Sequence, residues 1–368
     1  MLWITFDFCV VNAWEKRKFG ELYSKTSEKN DGSFGPDKII SVATMSWKTN
    51  VRISNEGYLA TYNVLRKGDI AFEGNRSKKF SFGRFVENDI GDGIVSHVFV
   101  VFRPKVPPVI SYWKYFIHNE FVMRNILRKS TIKATMMTNL SSHDFLRQTL
   151  CTPSFKEQEN IGNFLERLDS LIAATQDKLD SIEKIKKALL QHLFDQSMRF
   201  KGYSDPWEKR CLKEILSVNS GRDYKHLLPG KVPVYGTGGY MLSVNEALSH
   251  SDAIGIGRKG TIDRPFFLKA PFWTVDTLFF LTVKKEMVLS FVFPLLQTIR
   301  WKQLDESTGV PSLSKKTIES IMVHVPQKEE QQIIGNTFIL IDNLIAATQS
   351  KLSSLETLKK ALLQGLFI

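Results

Sequence analysis

The sequence is poor in the features that mark most other classes of protein. It has only three cysteines, Cys9, Cys151 and Cys211, far apart and without a C-x-x-C pair, which supports neither a disulfide framework nor a zinc ribbon and fits a reducing cytoplasm. The apolar opening Met1 to Ala13 lacks a basic leader and is too short to span a bilayer, and nothing else approaches transmembrane length, so no membrane partner is expected. There is no GxxxxGK[ST] phosphate loop, no HExxH, no nucleophile elbow and no NPP-aromatic or DPP-aromatic tetrapeptide. Asp205-Pro206-Trp207 does not substitute for the last. The seven histidines are scattered singly, which argues against a metal centre. No catalytic residue is nominated.

What is present is length, basic charge and duplication. At 368 residues the chain suits two domains. Its 43% hydrophobic and 24% charged content, with 26 Phe, is that of a folded protein. A net charge of +12 points to a polyanionic partner, nucleic acid first.

Pro153 to Phe194 aligns without gaps on Pro326 to Phe367 at an offset of 173, and about 25 of 42 positions are identical, including LIAATQ and KKALLQ. A second match, Trp14 to Arg17 with Trp207 to Arg210, has an offset of 193. Each half therefore opens and closes alike around a divergent block. This layout predicts four segments: a globular block over 1–152, a helical spacer over 153–200, a second block over 201–325 and a second helical spacer over 326–368.

In the first spacer, Leu168, Ile172, Thr175, Leu179, Ile182, Ile185, Leu189 and Leu193 recur at intervals of three and four; Ile341, Ile345, Thr348, Leu352, Leu355, Leu358, Leu362 and Leu366 repeat the stripe. Two such helices, each on the order of 55 Å long, are expected to pair as an antiparallel coiled coil and hold the blocks apart. The candidate pairing residues are Leu168, Ile172, Leu179, Ile182 and Leu189 with Ile341, Ile345, Leu352, Leu355 and Leu362. The blocks read as strand-rich, with strands expected at 38–43, 69–73 and 95–102 in the first and 232–235, 253–257 and 278–283 in the second. The fold class is thus α+β with a pseudo-twofold internal repeat.

Gly255 to Gly260 matches GxGxxG formally, but prolines at 265 and 271 deny it the helix a dinucleotide site needs. A glycine turn bearing Arg258 and Lys259, able to approach phosphates or a base edge, fits better. Tyr235-Gly236-Thr237-Gly238-Gly239-Tyr240 reads equally as a tight turn at a core edge or as tyrosines poised on sugars or bases. Arg222 to His226 adds groups of the kinds that read major-groove edges. In the first block, basic residues at Lys48, Arg52, Arg66, Lys67, Arg76 to Lys79 and Arg84 interleave with Trp47, Phe80 and Phe82. The nominated nucleic-acid contacts are Lys48, Arg76, Lys78, Lys79, Arg222, Lys225, Tyr235, Thr237, Tyr240, Arg258 and Lys259.

The entry segment Phe200 to Arg210, the exits Pro153-x-x-x-Glu157-Gln158 and Pro326-x-x-x-Glu330-Gln331, and the LIAATQ and KKALLQ helices together resemble the specificity subunits of type I restriction-modification systems over nearly the whole chain. The resemblance implies a non-catalytic subunit with two target-recognition domains, each reading half of a bipartite double-stranded DNA site. It further implies helices that dock two methyltransferase subunits, with restriction subunits joining through that assembly. S-adenosylmethionine, ATP and Mg would then belong to the partners, and no cofactor to this chain. One departure is that Met1 to Ala13 has no match to the entry segment Phe200 to Pro206. Two other classes stay open: a stand-alone DNA-modifying enzyme, and a coiled-coil adaptor without DNA specificity.

Overall fold

The computed structural model describes residues 14–49, 56–133 and 137–367. The fold is α+β, and the chain divides into two compact units. One runs through Ala174 and takes back 352–367; the other is Thr175–Lys351. Each unit therefore holds one globular block with half of each long helix, rather than one uninterrupted stretch of sequence.

In the first unit a four-stranded antiparallel sheet orders its strands Tyr23–Thr26, Val100–Pro104, Ile70–Glu73 and Arg84–Glu87. In the second, the order is Leu216–Ser220, Leu278–Val283, Ala253–Gly257 and Phe266–Leu268, again all antiparallel. The central strands, Ile70–Glu73 and Ala253–Gly257, are buried throughout, as strands covered on both faces must be. The two sheets thus share one connectivity although their sequences have diverged. Each block is also closed at its base by a two-stranded ribbon: Glu15–Lys18 on Thr149–Thr152, and Glu208–Cys211 on Met322–Val325. These ribbons join the repeated entry to the repeated exit.

Of the expected strands, 69–73, 232–235, 253–257 and 278–283 fall on observed ones. The other two break. In 38–43 only Ile40–Ser41 forms a strand, with Ile39 making a single bridge to Ile94, because Pro36–Lys38 is a 3-10 turn that puts Lys38 off the strand path. The stretch 95–102 is cut by a turn, where Phe99 N donates to Ser96 O at 3.1 Å, into Gly93–Val95 and Val100–Pro104. The divergent part of the second unit is a long hairpin, Pro229–Gly236 with Gly239–Val244, to which Trp273–Thr274 adds in parallel.

The long helices run Phe155–Phe194 and Lys328–Gly365. In the first unit Asp169 pairs with Lys359 at 2.5 Å, while Ile161, Phe164 and Leu165 share a core with Leu363, Leu366 and Phe367. In the second, Lys186 pairs with Asp342 at 2.6 Å, and Leu189, Leu190 and Leu193 share a core with Ile334 and Phe338. Rising numbers meet falling ones in both units, so the pairing is antiparallel. The two ion pairs are the same pair read through the repeat, since 169 matches 342 and 186 matches 359.

The apolar stripe is not uniformly covered. Leu168, Leu179 and Ile182 are buried, and Ile172, Leu189, Ile341, Ile345, Leu352, Leu355 and Leu362 are half-buried. Ile185 and Leu358, included in the expected stripe, instead stand 55% and 47% exposed. Two successive steps of three residues, at 100° per residue, turn each about 120° away from Leu179 or Leu352.

The helices are anchored to the blocks by repeated devices. Gly162 crosses Ser111–Tyr112, where an added Cβ would fall 2.7 Å from Tyr112 N; Gly335 crosses Ser290–Phe291, where it would fall 2.9 Å from Phe291 N. Glycine is needed at both crossings because a backbone lies where a side chain would be. Trp14 Nε1 donates to Glu157 at 3.2 Å, and Trp207 Nε1 to Glu330 at the same distance. Glu330 also accepts from Arg199 Nε at 2.7 Å and Nη2 at 2.8 Å, a two-pronged pair in a nearly water-free site.

Candidate nucleic-acid interface

In the second unit three strand ends meet at one edge of the sheet: Ser220 pairs with Phe279, and Gly257 with Leu278. The turn Thr274–Leu278 gathers what lies beyond them. Arg222 N donates to Thr274 O at 2.8 Å, Arg258 N to Thr277 O at 2.8 Å, and Val275 N to Tyr235 O at 3.0 Å. A Cβ on Gly260 would lie 3.8 Å from Thr237 Oγ1, so the two glycine turns are neighbours. Arg222, Tyr235, Thr237, Arg258 and Lys259, nominated from three separate places in the sequence, are therefore gathered at one end of the four-stranded sheet.

The turn at Arg258 is built stiffly. Gly260 has φ +89°, which reverses the chain in a conformation that β-carbons disfavour. Gly260 N donates to Pro311 O at 2.8 Å, Leu313 N donates to Arg258 O at 2.9 Å, and Lys259 bridges Ser312. The bracing loop is itself held by Asp305, whose Oδ1 accepts from Ser307 N at 3.0 Å and Ser312 N at 2.9 Å. Those amides hold its carboxyl below the ordinary range. No helix follows Gly260, so the dinucleotide reading has no structural support.

Arg222, Lys225, Arg258 and Lys259 are exposed, and among the described residues no carboxylate lies within ion-pair reach of any of them. By contrast Lys269 pairs with Asp252 and Lys302 with Asp263. Tyr240 is 63% exposed with its hydroxyl 3.2 Å from Ser243 Oγ. Tyr235 is half-buried against Phe266 and Tyr240 at ring distances of 6.1 and 6.4 Å, so most of that ring serves the core edge.

In the first unit Arg76, Lys78 and Lys79 lie exposed on the loop joining Ile70–Glu73 to Arg84–Glu87. That loop is the topological counterpart of the one that carries Arg258 and Lys259. It too is braced from behind: Thr138 N donates to Gly74 O at 2.9 Å, and its hydroxyl reaches Gly74 O and Phe82 O. Lys79 lies over the buried Phe80 ring at 5.2 Å. Lys48 is exposed next to the Ile40–Ser41 and Ser46–Trp47 hairpin. Arg66 and Arg84 belong to the framework instead: Arg66 pairs with Glu28, and Arg84 with Glu73 at 2.6 Å. Arg52 lies outside the described residues.

Both bracing segments lead into short helices capped alike. Ser141 Oγ accepts from Asp144 N, and Ser314 Oγ from Thr317 N. The repeat thus begins earlier than Pro153, at Leu140-Ser141 and Leu313-Ser314, which share the offset of 173. A two-letter match is all the sequence offers for it. Among the described residues no group of His, Cys, Asp and Glu could hold a metal ion, and no helix is long and apolar enough to cross a membrane.

Comparisons with known proteins agree with this architecture. The family model for the type I restriction modification DNA specificity domain matches twice, over 12–184 and 204–357. The type I restriction enzyme MjaVIII specificity subunit of Methanocaldococcus jannaschii is 21% identical, with 85% of this chain and 80% of that protein covered. The putative MjaX specificity subunit of the same organism is 22% identical, covering 72% and 69%. Among solved structures, the S subunit from M. genitalium superposes with a TM-score of 0.66 at 19% identity, covering 98% and 97%. The HsdS subunit of Thermoanaerobacter tengcongensis gives 0.54 at 16% identity, with 98% of both chains covered. With the family model matching both halves around a shared connectivity, the chain belongs to the type I restriction-modification DNA specificity family, as a non-catalytic specificity subunit.

Proposed function

We propose that the first block reads one half of a split double-stranded DNA site and the second block reads the other, unlike half, using Arg76, Lys78 and Lys79 on one loop and Arg258 and Lys259 on its counterpart. The observation that carries this is the equivalence of the two loops. Divergent sequences present exposed, unpaired basic residues from the same place in two sheets of one connectivity. Cations left without carboxylate partners are suited to phosphates and base edges. Because the blocks differ, the half-sites differ; because the helices have fixed lengths, the gap is fixed, at about one or more DNA turns of about 34 Å.

Two methyltransferase subunits dock on the helices, and restriction subunits join through them. Leu171 and Leu344 are 42% and 44% exposed, and Ile185 and Leu358 are 55% and 47% exposed. Each pair occupies one position of the repeat, so the same apolar surface is offered twice, which suits two copies of one partner. S-adenosylmethionine, and ATP with Mg, belong to those partners, and the complex acts on DNA in the cytoplasm.

The test is co-expression with a type I methyltransferase subunit from the same genome, followed by mapping of methylated adenines. The expected result is a motif of two unlike halves with a constant gap. A stable complex that methylates no split motif refutes the two-reader proposal; failure to form any complex favours the adaptor. Replacing Ile185 and Leu358 together by Asp should abolish co-purification of the methyltransferase while leaving the chain folded.

A further inference from the structure

Arg258 and Lys259 are adjacent in sequence and carry the same charge, yet the structure treats them differently. Arg258 has both backbone groups engaged, N to Thr277 O at 2.8 Å and O from Leu313 N at 2.9 Å. It follows a strand buried along its whole length. Its guanidinium lies over the Phe279 ring at 5.7 Å, and Phe279 is itself only 4% exposed. Stacking on a fixed ring restrains the orientation of a planar group while leaving its N–H edge open. Lys259 is exposed, with no ring or carboxylate to hold its ammonium among the described residues. The turn that carries Arg258 is flanked by Thr237, beside Gly260, and by the braced loop that ends at Leu313. The arginine is thus restrained at a braced turn, whereas a free lysine beside it has the reach to follow a phosphate.

Resting on the reading that this sheet edge meets DNA, we infer that Arg258 is a specificity-determining residue that reads one guanine of the second half-site, and that Lys259 contacts backbone phosphate. The chemistry selects the base. A guanidinium presents parallel N–H donors and no acceptor. Guanine is the base whose major-groove edge offers two acceptors side by side, O6 and N7; adenine pairs an acceptor with a donor, thymine offers O4 beside a methyl, and cytosine offers a donor. A restrained, unpaired fork therefore discriminates guanine from all three. Lysine can also donate to O6 and N7, but an unrestrained point charge on a flexible stem fixes the base less strictly than a held guanidinium, and it neutralises phosphate well.

The experiment uses the full complex with its methyltransferase subunits, comparing wild type, Arg258→Ala, Arg258→Lys and Lys259→Ala. Genome-wide methylation gives each motif, and binding is then measured on duplexes carrying the wild-type motif with guanine or 7-deazaguanine at each guanine of the affected half. The expected result is that one G·C position in one half becomes degenerate for Arg258→Ala and is relaxed to a smaller degree for Arg258→Lys. On wild type, 7-deazaguanine at that position alone should weaken binding by about 5- to 150-fold, the range of a bidentate base contact. Arg258→Ala should be indifferent to it. Lys259→Ala should weaken binding evenly across sequences, keep the motif, and lower the salt slope by about one. The inference is overturned if the Arg258 variants bind less well but keep the wild-type motif, for then the guanidinium meets phosphate. It is also overturned if no guanine of the half-site responds to loss of N7. The underlying reading of the face fails separately: neither position, nor Arg222→Ala with Lys225→Ala, would change affinity or motif while the complex still bound its site. Because all these side chains are exposed, unchanged circular dichroism and co-purification of the methyltransferase exclude misfolding as the cause.

Discussion

Replacing Glu87 by glutamine should stabilise the first unit at neutral pH and leave it nearly unchanged in acid. Glu87 is 2% exposed at the end of Arg84–Glu87, and neither carboxylate oxygen has a hydrogen-bond partner. Burial pushes its pKa well above the ordinary 4.5, and the nearby Asp89 adds to the rise, against a smaller opposing pull from Lys114. The folded state therefore binds this proton more tightly than the unfolded chain does. Stability from that proton is fully present below 4.5 and falls as pH rises above it. Each pH unit between the ordinary pKa and the raised one adds a penalty of at most about 1.4 kcal/mol, so the cost of the carboxyl grows with pH across that window. Glutamine, equally polar but without a proton to lose, escapes it. Urea unfolding of both proteins at pH 4.5 and pH 7 measures the difference. The expected gain for the variant is close to zero at pH 4.5 and larger at pH 7, rising by no more than about 1.4 kcal/mol for each pH unit between. An equal effect at both pH values, or a loss at pH 7, would refute the reasoning: Glu87 would then be an ionised, partnered carboxylate.

Other predictions follow from the anchors. Glu330→Ala should destabilise the second unit by about 3–5 kcal/mol, because it removes the carboxylate from the Arg199 guanidinium and the Trp207 N–H; Glu157→Ala, whose carboxylate accepts from Trp14, should have an effect of about 1 kcal/mol. Thermal denaturation of the two variants would show that order, and its inversion would overturn the account of the clamp. Gly335→Ala should lower stability by about 1–3 kcal/mol although alanine is the better helix former, since Ser290–Phe291 occupies the space a Cβ requires. A stabilised variant would mean that this crossing yields at little cost. A double-mutant cycle on Lys186 and Asp342 should give a coupling of no more than about 1 kcal/mol, diminishing with salt, because both side chains remain partly in water.

The sequence by itself determined the duplication, the two long helices and the class of partner. These are written in local period and in identity between copies, and physics acts on them one segment at a time: a stripe at three and four wants a helical partner wherever it is placed. The entry tryptophans and exit glutamates were likewise visible as repeated letters, Trp14 with Trp207 and Glu157 with Glu330, although nothing in the letters said that each tryptophan donates to its glutamate. Tertiary structure alone decided which cations are free. Arg66, Arg84 and Arg258 look alike in a charge count, yet the first two are neutralised by Glu28 and Glu73, more than ten residues away in sequence, while Arg258 is left open over Phe279. It also decided that the loops at Arg76 and Arg258 are the same loop, because sheet connectivity survives when side chains diverge. Pro311 and Leu313 entered the candidate site only through backbone hydrogen bonds to a distant turn, which carry no sequence signature of their own.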